Sequence, residues 1–152
     1  MSAPSHHAPW GAPRLLGAVR SPRRTSDPPV LMAWLGWCAS FDGDEPTAAF
    51  VSLHGELCAY SASRLRDGLP GSDGLLGSVK YARDVVIDLS PVSFLDTTGL
   101  ELLEELRDQR LHAGGRCQLH HPSRAARRIL DLVRSDLPAP CHQLTPAEVL
   151  AL

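Results

Sequence analysis

The chain has 152 residues, 43% of them hydrophobic and 21% charged, which predicts one globular domain with a buried core rather than a disordered tail. Fifteen basic residues against 17 acidic ones leave a formal net charge of -2, which disfavours direct binding to nucleic acid. The longest unbroken apolar stretch, residues 30–39, is much shorter than the roughly 20 residues that a membrane-spanning helix requires.

The first 29 residues differ in composition from the rest of the chain. They hold six of the 13 prolines together with scattered Ser, Ala and Arg, and they show no sustained hydrophobic period. We therefore predict a disordered Pro/Arg-rich extension over residues 1–29 and a single domain over residues 30–152.

The cysteines and the N-terminal arginines bear on the cellular compartment. The four cysteines form no CxxC pair and lie in segments with the pattern of strand or core. Arg23 and Arg24 precede the apolar stretch, but prolines intervene and no small-residue cleavage pattern follows, which disfavours an export signal. Reduced cysteines and a cytoplasmic location are therefore expected.

The segment that follows the extension has the pattern of a hairpin, a helix and a loop. Residues 30–40 and 49–53 are apolar and aromatic, and turn formers at 42–46 separate them, so we predict two paired strands. Ser61 is expected to cap a short helix. The Gly- and Ser-rich residues 67–83 predict a mobile surface excursion.

The second half of the chain alternates between strand and helix patterns. Residues 85–89 form a nearly continuous apolar run, which is typical of a strand covered on both faces. Residues 116–121 predict another strand, and Ser123 and Thr145 are expected to open helices. Strands separated by helices indicate an α/β fold with a mixed, mostly parallel sheet of about four or five strands and helices packed on it. One further helix carries a leucine face made of Leu100, Leu103, Leu106 and Leu111.

The start of this leucine-faced helix is the most informative part of the sequence. Thr98 and Glu101 have the spacing of a capping box, which predicts that Thr98 caps the helix. A helix N-terminus after a buried parallel strand lies at the carboxyl edge of the sheet, where unpaired amides favour anions. A phosphate attached at Thr98 would add about two negative charges to an otherwise apolar contact surface there.

The segment VVIDLSPVSFLDTTGL, residues 85–100, closely resembles the signature of STAS domains, the family of bacterial anti-sigma factor antagonists. The resemblance continues upstream in the LHGEL of residues 53–57 and downstream in residues 114–116 and 122–132. It covers roughly residues 30–150, most of the chain beyond the extension. The fold that this resemblance implies is a single STAS-like domain.

The resemblance implies a protein-binding switch rather than an enzyme. STAS antagonists bind an anti-sigma factor that has a GHKL-type ATPase fold, and they thereby free the sigma factor. That partner phosphorylates a Ser or Thr in the Asp-Ser/Thr-Ser/Thr-Gly turn, here Thr98, and a phosphatase resets the switch. Cys58 stands where the family often has Asp. The partner-binding residues implied by the resemblance are Asp96, Thr97, Thr98, Gly99, Leu100 and Glu56.

Two other interpretations of the same resemblance remain open. One is the STAS subunit of a lipid-transport ABC system, which docks on an ATPase and also carries an Asp-Thr turn. The other is a STAS domain that persists as a scaffold without being phosphorylated. The oligomeric state also stays open.

No metal or cofactor is expected. The pairs His6-His7 and His120-His121 lack further convergent ligands, and two neighbouring strand residues are expected to point to opposite faces. No Walker loop or dinucleotide fingerprint appears either. The leucine-faced helix also has an acidic side, which consists of Glu101, Glu104, Glu105 and Asp108. These charges either steer a basic partner surface towards the helix or simply form a solvated face.

Overall fold

The computed structural model describes residues 14–22, 27–39, 46–68 and 74–133. In this part of the chain six strands and four helices alternate in the order expected of an α/β fold. In chain order they are β1 (Arg14–Val19), β2 (Leu31–Ala39), β3 (Pro46–Leu57), α1 (Ala59–Asp67), α2 (Gly74–Ser78), β4 (Asp84–Asp88), β5 (Val92–Leu95), α3 (Thr97–His112), β6 (Cys117–His120) and α4 (Arg124–Val133).

The strands form one mixed sheet in the order β1-β2-β3-β4-β6, and β5 also pairs with β3. The pairings of β1 with β2 and of β2 with β3 are antiparallel, whereas β3–β4, β3–β5 and β4–β6 are parallel. The predicted α/β fold with a mixed, mostly parallel sheet is therefore confirmed. Within the described residues the sheet contains six strands, where the sequence predicted about four or five.

Strand β3 has two parallel neighbours because it pairs with each along a different part of its length. Residues 48–52 pair with β4, and residues 55–57 pair with β5, with a register shift between Gly55 and Glu56. Gly55 has a φ of 115°, and a Cβ there would overlap the carbonyl oxygen of Val30. The glycine thus allows β3 to bend, and the bend brings the ends of β3 and β5 side by side.

The prediction of a disordered extension over residues 1–29 is wrong for β1. This edge strand pairs with β2 and buries Leu16 and Val19 against the core. Its short sequence, RLLGAV, alternates too weakly to be recognised without its partner strand. Residues 1–13 and 23–26 of the predicted extension lie outside the described residues. The same holds for the first four residues of the predicted turn at 42–46 and for the helix that Thr145 is expected to open.

The prediction of a mobile surface excursion over residues 67–83 is also wrong for residues 74–83. The short helix α2 lies within this segment, and Leu75 and Val79 are fully buried in the core. The guanidinium of Arg110, on α3, is buried as well and donates hydrogen bonds to the carbonyl oxygens of Lys80 and Ala82. Residues 69–73 lie outside the described part of the chain.

Helices α1, α2 and α3 pack with the sheet around an aliphatic core. Helix α1 begins at Ala59, two residues before the predicted cap Ser61, whose hydroxyl instead accepts a hydrogen bond from the Cys58 amide at 2.9 Å. Leu111 is 54% exposed, so the leucine face of α3 is buried only up to Arg110. None of the described helices is both long and apolar enough to cross a membrane. The largest fully buried side chains include Leu31, Leu53, Leu57, Leu65, Ile87, Leu102, Leu103 and Leu106.

A row of polar side chains crosses one face of the sheet, and Val51 and Leu53 point to the other face. Ser52 and Asp88 are partners in the β3–β4 pairing, and Asp88 and His120 in the β4–β6 pairing. The Ser52 hydroxyl lies 2.9 Å from His54 Nε2 and 3.4 Å from a carboxylate oxygen of Asp88.

The chain leaves the extended conformation directly after β6. His121 has a φ of 44°, so its ring stacks on that of His120 at 4.0 Å instead of pointing to the opposite face.

Burial of His54 makes stability depend on pH. Burial lowers the pKa of the imidazole below its ordinary value of 6.5, and the nearby Asp88 carboxylate opposes this shift less strongly. The unfolded chain therefore binds a proton at a pH where the folded chain does not. The stability that this contributes is present above about pH 6.5 and is lost as the pH falls through the folded pKa.

We predict that urea unfolding measured from about pH 8 to about pH 5 shows a smaller loss of stability for His54→Gln than for the wild type. Glutamine retains a hydrogen bond to Ser52 but cannot titrate. The control His112→Gln replaces an exposed histidine and should follow the wild-type pH dependence. Parallel curves for the wild type and His54→Gln would contradict the prediction.

Candidate functional site

The connection between β5 and α3 contains the sequence Asp-Thr-Thr-Gly. Asp96 is the N-cap of α3, and its Oδ1 accepts a hydrogen bond from the amide of Gly99 at 2.8 Å. The prediction that Thr98 caps this helix is therefore wrong: Thr98 is the second residue of α3. The cap lies two residues before the predicted one because β5 ends at Leu95, and Asp96 is the first residue after the strand whose side chain can accept a hydrogen bond.

The second carboxylate oxygen of Asp96 serves another helix. Asp96 Oδ2 accepts a hydrogen bond from the amide of Ala59, the first residue of α1, at 3.0 Å. The Asp96 amide in turn donates to the carbonyl oxygen of Leu57 at 3.3 Å, at the end of β3. One negative charge thus lies at the N-termini of two helices, where the partial positive charges of both favour it.

Because of this arrangement, fewer amides are free to bind an anion at the start of α3 than the sequence predicted. The amides of Ala59 and Gly99 are already occupied by Asp96. In the first turn of α3 the amides of Thr97 and Thr98 remain, because a helix gives them no intrahelical partner. The site therefore retains part, but not all, of the anion-favouring character expected from a helix N-terminus.

Two predicted partner-binding residues are structural. A Cβ on Gly99 would overlap the carbonyl oxygen of Leu57 and would lie 2.9 Å from side-chain atoms of Leu57 and Leu95. Only glycine allows α3 to approach β3 and β5 this closely. Leu100 is 2% exposed and belongs to the core, so the prediction that it contacts a partner is wrong for its side chain.

The other predicted partner-binding residues reach the surface. Thr97 and Glu56 are exposed, and Thr98 and Asp96 are partly exposed. Neither threonine hydroxyl is engaged by another residue in the part of the chain that the structure describes. Glu56 pairs in register with Phe94 in the β3–β5 ladder, so it lies beside the strand that leads into the threonine turn.

The acidic side of α3 is partly neutralised within the chain. Glu105 forms an ion pair with Arg66 of α1 at 2.7 Å, and Asp108 pairs with Arg107 at 3.2 Å. In both pairs the carboxylate side chain is exposed and the arginine is partly buried, which fits a solvated face at Glu105 and Asp108. Among residues 14–22, 27–39, 46–68 and 74–133, no group of three His, Cys, Asp or Glu side chains could hold a metal ion.

The N-terminus of α1 is a part of the site that no sequence pattern predicted. Cys58 caps that helix and is partly exposed, and its neighbour Ala59 contacts Asp96 across 37 positions of sequence. No local pattern signals a contact between residues so far apart. The only available signal is the departure from the family pattern at Cys58.

We predict that removing the double cap destabilises the fold. Asp96→Ala leaves two helix-terminal amides without an acceptor and should lower the free energy of unfolding by about 1–3 kcal/mol. Asp96→Asn keeps one accepting oxygen, so its loss in the free energy of unfolding should be about half that of Asp96→Ala. Glu101→Ala changes an exposed residue of the same helix and should stay within about 0.5 kcal/mol of the wild type in urea unfolding. An equally small change for Asp96→Ala would refute the double cap.

Comparison with known proteins agrees with this architecture. The family model described as the STAS domain matches residues 44–137. No curated protein matches the chain.

Two solved structures are similar to the chain. An anti-sigma factor antagonist from Mycobacterium paratuberculosis has 24% sequence identity and a TM-score of 0.55, covering 72% of this chain and 91% of that one. The Bacillus cell fate determinant SpoIIAA, solved in its phosphorylated form, has 17% identity and a TM-score of 0.52, covering 72% of this chain and 93% of that one. Both likenesses show a shared fold.

Proposed function

The chain belongs to the STAS domain family, and we propose that it acts as an anti-sigma factor antagonist that phosphorylation of Thr98 switches off. The observation that carries this proposal is the Asp-Thr-Thr-Gly turn, which begins α3 at the surface with both threonine hydroxyls unengaged by described residues. The structure from Mycobacterium paratuberculosis is described as an anti-sigma factor antagonist, and that of SpoIIAA as a phosphorylated form. These descriptions support the same role here.

The proposed partner is an anti-sigma factor with a GHKL-type kinase fold. It would transfer the γ-phosphoryl group of ATP to Oγ1 of Thr98, releasing ADP and the hydroxyl proton. A separate phosphatase would hydrolyse the ester and restore the binding-competent chain. In this proposal the chain is a cytoplasmic binding module and a kinase substrate rather than an enzyme, and it needs no cofactor and makes no direct contact with nucleic acid or membrane.

The charges around Thr98 support a switch that acts through electrostatics. A phosphate on Thr98 would bring about two negative charges next to Asp96 and one helical turn from the exposed Glu101. The first-turn amides of α3 would stabilise the phosphate locally. A partner surface complementary to the unmodified turn would nevertheless face a larger concentration of negative charge, which costs binding energy.

The test is phosphorylation of the purified full chain. We expect incubation with the GHKL-type anti-sigma factors of the source organism, each with ATP and Mg²⁺, to add one phosphate as read by intact mass. Peptide mapping should locate it on Thr98. Thr98→Ala should abolish the modification, whereas Thr97→Ala, which removes the neighbouring and more exposed hydroxyl, should retain it.

Binding measurements complete the test. The anti-sigma factor should bind Thr98→Glu at least about tenfold more weakly than the wild type, because the added charge imitates part of a phosphate. The proposed switch fails if no such kinase modifies the wild type and one of them binds Thr98→Glu as tightly as the wild type. That result would favour a non-phosphorylated scaffold, and binding to a transporter ATPase instead would favour the lipid-transport subunit.

A further inference from the structure

An open groove lies between α4 and β5, the strand that leads into the proposed phosphorylation turn. Its volume is about 270 Å³, which is below the range of about 300–1,000 Å³ typical of small-molecule sites. One wall comes from the end of β5 and the other from one face of α4, with residues spaced by three and four positions. The lining residues are Phe94, Leu95, Ala125, Arg128, Ile129 and Leu132.

The groove exposes apolar surface at both walls. Phe94 is 48% exposed and Leu132 is 78% exposed, although each lies beside apolar neighbours that are partly or fully buried. Such adjacent exposed apolar side chains, rimmed by polar residues, are typical of binding surfaces. An extended or helical segment that places two apolar side chains between Phe94 and Leu132 would bury both.

The charge at the rim restricts the chemistry of an occupant. Arg128 is exposed, lines the groove, and forms no ion pair with any residue in the described part of the chain. Glu56 is exposed and pairs in register with Phe94, so a second charge, of opposite sign, lies on β3 beside the Phe94 wall. A segment seated in the groove therefore gains most if its carboxylate faces α4 and Arg128 and its apolar residues face Phe94.

The groove is physically connected to the threonine turn through Leu95. This side chain lines the groove, and its Cδ1 also packs so close to Gly99 that a Cβ there would lie 2.9 Å away. A partner that covers the turn around Thr98 is thus adjacent to the groove. This continuity favours an occupant supplied by the same partner that the turn contacts.

We infer that the groove between β5 and α4 docks an amphipathic segment of the anti-sigma factor, with apolar side chains between Phe94 and Leu132 and a carboxylate paired with Arg128. This inference rests on the proposed function, since it names a second contact region for the same partner. It gives the two regions different tasks: the groove supplies apolar affinity, and the turn supplies the charge that phosphorylation changes.

The test measures binding of the anti-sigma factor that binds or phosphorylates the wild-type chain, using the full chain and two matched pairs of variants. Leu132→Ser removes the exposed apolar wall, and Leu111→Ser is its control because Leu111 is exposed on α3, away from the groove. Arg128→Glu reverses the rim charge, and Arg127→Glu is its control because Arg127 is exposed on α4 but does not line the groove.

We expect Leu132→Ser and Arg128→Glu each to weaken binding about tenfold or more, and both controls to stay within about twofold of the wild type. Hydrogen exchange of residues 124–132 should slow in the wild-type complex. Wild-type affinity for both groove variants would overturn the inference and leave the proposed function intact. If no anti-sigma factor binds or phosphorylates the wild type, both fail together.

Two other occupants would give different results. A second copy of the chain would appear in analytical ultracentrifugation as a wild-type dimer that Leu132→Ser dissociates. Residues 134–152 would appear as an occupant if their deletion strengthened binding to the anti-sigma factor. Either result would overturn the assignment of the groove to the partner.

Discussion

The N-termini of α1 and α3 meet at the carboxylate of Asp96, which accepts one amide hydrogen bond from each helix. Without this charge, two partial positive helix ends would face one another next to the end of β3. The contact needs β3 to bend at Gly55 and α3 to approach at Gly99, where no side chain larger than hydrogen fits. The position of the threonine turn is therefore set by contacts that span the ends of β3, β5 and both helices.

Sequence patterns predicted the elements whose hydrophobic period is strong on its own. Strand β4 contains the consecutive buried apolar residues Val85, Val86 and Ile87, and α3 and α4 follow the helical period. The patterns failed where burial depends on a distant partner. Strand β1 becomes an element only by pairing with β2, and α2 lies in a Gly- and Ser-rich segment that is held by Leu75 and by Arg110 from a different helix.

The sequence motif located the threonine turn along the chain but did not predict which contacts its residues make. The turn around Thr98 was found from its motif, whereas the capping-box spacing assigned the cap to Thr98 and overlooked Asp96. Leu100 shares the motif but faces the core. The contact from Asp96 to Ala59 joins residues that are far apart in sequence, so it depends on how β3 and β5 pair and on no local rule.

The rigidity of the α3 N-terminus limits how a modification at this turn can act. Asp96 is held by two amides and by the Leu57 carbonyl, and Gly99 and Leu100 are packed without space to shift. A phosphate on Thr98 therefore adds charge to a surface whose backbone has little room to move, rather than releasing the helix. In the proposed switch, phosphorylation would change what a partner meets at the turn and would leave the groove between β5 and α4 in place. The partner would then lose affinity through unfavourable charge at one contact region, while the apolar contact region would stay unchanged.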